Sequence, residues 1–124
     1  MKTLIVPLGA ALLAILAAPL MAQDGLSDGE LLERRLRACL VSGSAGAPRD
    51  SLISAVVAVR SLCYTQIRRV REFRLAAVDE GFGLPEARLT ASRPDELDRA
   101  RDTATRQLND EIALAISNFT GLTL

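Results

Sequence analysis

A chain of 124 residues with fifteen basic and fifteen acidic side chains has no surplus of positive charge with which to bind nucleic acid or an anionic bilayer at large. Histidine is absent, which removes Ser-His and Cys-His nucleophilic schemes, imidazole general bases and His-ligated metal sites. Aromatic residues amount to three Phe and one Tyr, with no Trp, so the core must come from Leu, Val, Ile and Ala in a domain near the lower edge of independent stability.

Residues 1–22 (MKTLIVPLGAALLAILAAPLMA) have the form of a secretory signal peptide. Lys2 and the amino terminus give a positive start, Leu4 to Ala18 an apolar run, and Pro19 to Ala22 a helix-breaking end with a small residue before Gln23. The alternative is an uncleaved anchor, because Leu4 to Ala22 is long enough to span a bilayer; Pro7 and Pro19 favour cleavage. The expected mature chain is a single helical domain, residues 23–124, exported to the bacterial periplasm or beyond, with no stable membrane span. Lys2 is the only lysine, so all mature bases are Arg and the net charge is about −1.

Ser27-Asp28-Gly29-Glu30 is a capping box, which predicts a first helix from Asp28 to Ser42 that stops at Gly43. Its apolar stripe is Leu32, Leu36, Cys39 and Leu40. Gly43 to Pro48 reads as a loop. A long second helix, capped by Asp50 or Ser51, is expected to run unbroken to Glu80, with Leu52, Val56, Val59, Cys63, Ile67, Val70 and Ala77 at helical spacing. Gly81 to Arg93 reads as a second loop, with Phe82, Leu84 and Leu89 laid against the bundle. Ser92 and Asp95 then form a capping pattern, with Pro94 in the first turn. A third helix is predicted from Arg93 to Asn118, with a stripe of Leu97, Ala104, Leu108, Ile112, Ala115 and Phe119. Helix two carries a net positive charge and helix three a net negative one, so antiparallel packing would set opposite charges along their seam. The expected fold is all-α: a small three-helix bundle, a long helix-two/helix-three hairpin with a shorter first helix, stapled by a disulfide.

Cys39 and Cys63 both fall on apolar stripes, and an even cysteine count in an exported small domain implies a bridge between them. A close antiparallel hairpin ending at Ser42 would leave them roughly 13 Å apart along the axis, whereas a disulfide needs Cα atoms within about 7 Å. The loop must therefore climb back along helix two, or helix one must cross it steeply. Two buried free thiols and an intermolecular bridge are the alternatives.

Two surfaces are candidates for binding. Arg60, Tyr64, Arg68 and Arg71 lie within about 80° of one another on helix two, a pattern that suits a carboxylate, phosphate or anionic glycan; the plainer reading is a solvated face or pairing with the acidic third helix. From Ile112 to Phe119 the helix is apolar nearly all round, and Ile112, Leu114, Ile116 and Phe119 are candidate interface residues for self-association or a protein partner. Carboxylate pairs such as Asp95/Asp98 are explained by the helix dipole. Asn118-Phe119-Thr120 matches an N-glycosylation acceptor, relevant only in a eukaryotic host. No catalytic residues, cofactor or metal ligands are expected. The pattern fits a non-enzymatic adaptor or accessory subunit of the cell envelope, with a soluble anion-binding or chaperone-like protein as the alternative.

Overall fold

The computed structural model describes residues 26–83 and 94–124. The chain divides into two compact units after Leu31. The leader, the junction at residues 22–23, and the expected positions of Ser92, Leu84 and Leu89 lie outside the described residues. Those described form four helices and no strand: α1 (Asp28–Ala45), α2 (Leu52–Leu62), α3 (Tyr64–Gly81) and α4 (Pro94–Thr120). The protein is therefore an all-α bundle, with one helix more than expected. Among the described residues no helix is long and apolar enough to cross a membrane.

The start of α1 follows from its cap. The Ser27 hydroxyl accepts from the Glu30 amide at 3.2 Å, and the Glu30 carboxylate accepts from the Ser27 amide at 3.1 Å, so two orphan donors of the first turn are satisfied reciprocally. The far end departs from expectation, because α1 runs through Gly43 to Ala45. Gly43 is buried against α2: a Cβ there would stand 3.2 Å from Val59 Cγ1 and 3.3 Å from Leu62 Cδ2. The glycine permits a close approach of two helices where a terminator was expected. Residues 46–51 then turn the chain. Ser51 caps α2 by accepting from the Ser54 amide at 3.0 Å, and the Ser54 hydroxyl donates to Asp50 at 2.9 Å.

The expected single helix two is interrupted at one residue. Cys63 has φ −96° and ψ 16°, outside the helical well. Hydrogen bonding nevertheless continues on both sides, from the Cys63 amide to the Val59 carbonyl and from the Ile67 amide to the Cys63 carbonyl, each at 2.9 Å. Nothing local breaks the helix here, since neither Gly nor Pro is present. The interruption falls on the residue that is fully buried and covalently tied to α1.

That tie is the Cys39–Cys63 disulfide, with a Cα separation of 5.9 Å. The expected mismatch along the axis shrinks because α1 is longer than its glycine suggested. Cys39 stands six residues before α1 ends at Ala45, and Cys63 eleven after α2 starts at Leu52. The remaining offset of five residues, about 7.5 Å, is taken up by the loop at residues 46–51.

Around the disulfide lies the core: Leu36 and Leu40 from α1, Ala47, Leu52, Ala55 and Val59, then Ile67 and Val70 from α3, and Leu108, Ile112 and Ile116 from α4. Backbone approaches are concentrated between α3 and α4 and between α2 and α4. The stripes read from spacing hold for most positions. Ala77 and Phe119 are corrections, both being exposed, while Ala55 and Ile116 are fully buried in their stead. A stripe drawn at strict helical spacing drifts off the contact face over seven turns, so its far ends are the first to miss.

Candidate binding surface

The C-terminal half of α4 sorts the four candidate interface residues into two pairs. Ile112 and Ile116 are 1% and 0% exposed, part of the protein's own core. Leu114 and Phe119 remain 63% and 37% exposed on the outer side. The correction has a simple cause: the helix is apolar nearly all round here, but only one of its faces packs against α2, α3 and the disulfide.

Beside those exposed residues an open cleft separates α1 from α4. One part, about 140 Å³, is lined by Glu33, Leu36, Arg37, Leu40, Leu108 and Ile112 among others. A second part, about 260 Å³, is lined by Arg37, Glu111, Leu114, Ala115, Asn118 and Phe119. Arg37, Glu111 and Ala115 border both parts, so the two form one continuous surface with an apolar floor and a charged rim.

Arg74 organises the acidic side of that rim. Its guanidinium meets Glu33 of α1 in a two-pronged contact, Nε to Oε1 at 2.9 Å and Nη2 to Oε2 at 3.1 Å. Nη2 also lies 2.7 Å from Glu111 Oε2 on α4. The Glu111 carboxylate, followed by Glu33, raises the Arg74 pKa above its ordinary value against the opposing effect of burial. One α3 side chain thus joins three helices. The stripe expected from spacing runs from Val70 to Ala77 and passes over this residue, although Arg74 stands where the series Cys63, Ile67, Val70 calls for the next apolar position and that break in the pattern could have marked it. Glu33 and Glu111 likewise sit on the edges of their stripes, beside Leu36 and Leu108. A second ion pair, Arg101 with Asp79, closes the α3–α4 seam elsewhere. The expected pairing of a basic α3 with an acidic α4 is met by Arg74 and Glu111, whereas Arg101–Asp79 runs the opposite way, with the Arg on α4 and the acid on α3.

The other candidate set, Arg60, Tyr64, Arg68 and Arg71, straddles the interruption at Cys63. Tyr64 and Arg68 are exposed, and Arg60 and Arg71 are half-buried. Arg68 makes a loose contact with Glu72 at 3.8 Å, a separation worth little on an exposed helix face. Val57 and Ile53, both exposed, extend the same line one and two turns, respectively, toward the start of α2.

The C-terminus of α4 is closed by a separate set of contacts. Gly121 takes φ 75° and donates to the Ser117 carbonyl at 2.8 Å, a left-handed cap that a residue with a Cβ adopts poorly. The buried Thr120 hydroxyl donates to the Ile116 carbonyl at 2.7 Å, and Arg49 Nη1 donates to the Thr120 carbonyl at 2.8 Å. Thr120 of the Asn118-Phe119-Thr120 triplet is therefore committed to the helix end.

Among the described residues no three Cys, Asp or Glu side chains are grouped as metal ligands would be. Comparison of the chain with known protein families, curated proteins and solved structures gave no match.

Proposed function

We propose that the protein is a small non-enzymatic interaction module of an extracytoplasmic compartment, the bacterial periplasm by the form of its leader, which acts as an adaptor or accessory subunit through its α1–α4 face. One observation carries this reading: Leu114 and Phe119 stand exposed beside an open cleft whose floor is apolar. Grouped exposed apolar side chains next to a cleft mark docking surfaces. The disulfide supports the compartment, because such bonds persist where the environment oxidises. The absence of histidine supports a role without acid–base or nucleophilic chemistry.

Affinity capture from the envelope fraction tests the proposal, with wild type and Leu114→Asp run side by side. Proteins retained by wild type and lost with the variant are expected. Identical profiles from the two baits would reject docking at this face.

A second reading rests on the line of Ile53, Val57, Arg60, Tyr64, Arg68 and Arg71, which offers apolar and cationic groups together. It suits an anionic glycan, a lipid headgroup or an unfolded client. Binding should weaken as salt rises and be lost when Arg60 and Arg68 are both replaced by Ala.

A further inference from the structure

The rim of the α1–α4 cleft carries a charge mismatch that the described residues do not resolve among themselves. Glu33 and Glu111 share a single cation, Arg74, which leaves that cluster with one surplus negative charge. Arg37 borders both parts of the same cleft and makes no ion pair or hydrogen bond among the described residues. Glu33 stands four residues before it, the spacing at which a helical Glu and Arg ordinarily pair. That carboxylate is instead held by Arg74. The surface thus offers one surplus negative charge, one surplus positive charge, an apolar floor between α1 and α4, and two exposed apolar side chains on α4.

We propose that a second copy of this chain docks on the cleft about a two-fold axis, with Arg37 of each protomer reaching the Glu33–Glu111 cluster of the other. A two-fold interface uses the same patch on both sides and must therefore be self-complementary. Equal and opposite surplus charges meet that condition. A small anion approaching Arg37 would meet Glu111 on the same rim, and a cation approaching Glu111 would meet Arg37. A second copy satisfies both charges at once and removes Leu114 and Phe119 from water, which gives such an interface an apolar centre and a polar margin. This proposal rests on the docking reading above and names its partner.

The test uses the full chain expressed with its own leader and purified in the form the host leaves. Light scattering over a dilution series should give twice the protomer mass near 100 µM, on the order of the concentration a modest interface needs. Arg37→Glu should weaken the pairing about tenfold or more by setting two acids against each other, and Glu111→Arg should do so by setting two bases. The informative sample is the mixture of these two variants. Each pairs poorly with itself, yet together they restore both contacts, so native mass spectrometry should show a heterodimer. Because Glu111→Arg also removes a partner of Arg74, Leu114→Asp serves as a variant outside the ion network. It should give monomer with an unchanged circular dichroism spectrum and, in dilute solution where wild type is itself monomeric, an unchanged melting temperature.

A monomeric wild type near 100 µM would overturn the proposal. So would a dimer indifferent to both Arg37→Glu and Leu114→Asp, or a variant mixture that stays monomeric while each variant is folded. A monomer that still captures foreign proteins through Leu114 sinks self-pairing and leaves the adaptor reading standing. A charge-dependent dimer that captures nothing upholds self-pairing and retires the adaptor role.

Discussion

Arg74 shows how one side chain can set the arrangement of three helices. Held by Glu33 and Glu111 and only partly exposed, it contributes hydrogen bonds to charged groups, and Arg74→Ala should destabilise the bundle by about 1–2 kcal/mol, read as a lower midpoint in urea. Its pKa is raised in the folded state, so the stability it adds is fully present below its ordinary value and is lost only as pH rises through the folded one. Across about pH 6 to pH 9 the difference in melting temperature between wild type and Arg74→Ala should therefore not vary through ionisation of Arg74. The α4 candidates separate in the same way. Ile116→Ala should cost about 2–5 kcal/mol, whereas Leu114→Ala should stay within about 0.5 kcal/mol, as thermal melts would show. Ser44 offers the opposite sign: its hydroxyl is buried with no hydrogen-bond partner among the described residues, so Ser44→Ala should be neutral or stabilising by up to about 1 kcal/mol. Periodicity placed Leu36, Leu40, Val59, Ile67, Val70, Leu108 and Ile112 in the core. It could not tell Leu114 from Ile116, because on a helix that is apolar all round only the neighbouring elements decide which side is covered.

At the scale of the elements, the two departures from expectation both occur where helices touch. Gly43 has the local signature of a helix end, yet α1 continues through it because the missing Cβ lets Val59 and Leu62 come close. Two effects oppose each other there. Alanine would gain about 1 kcal/mol of helix propensity but would press on Val59, so Gly43→Ala should lie within about 1 kcal/mol of wild type. Gly43→Leu has no such compensation and should cost about 1–3 kcal/mol by overpacking, measurable by urea titration. The interruption at Cys63 is likewise invisible locally, since the hydrogen bonds on either side are helical and no breaker residue is present. The caps, in contrast, were legible, because Ser27, Glu30 and Ser51 act on amides within three residues of themselves.

For the whole molecule, the disulfide joins α1 to the α2–α3 junction at the centre of the core. It closes a loop of 24 residues' separation, which on the chain-entropy model stabilises by about 3–4 kcal/mol. Reduction under native conditions should lower the melting temperature by ten degrees or more, roughly 4–8 °C per kcal/mol in a domain of this size, and Cys39→Ser/Cys63→Ser should reproduce the effect. A double variant that melts like wild type would show the aliphatic core to be sufficient alone. The all-α class was legible in the residues alone, because helical spacing and capping residues are set by residue identity and near neighbours, and an even cysteine count already suggested the bridge. Packing across the bundle makes Gly43 a crossing point, shares Arg74 between two carboxylates while Arg37 has none among the described residues, and leaves Leu114 and Phe119 uncovered. Each of these depends on which residues meet across the bundle, and that is fixed by packing between helices distant in the chain.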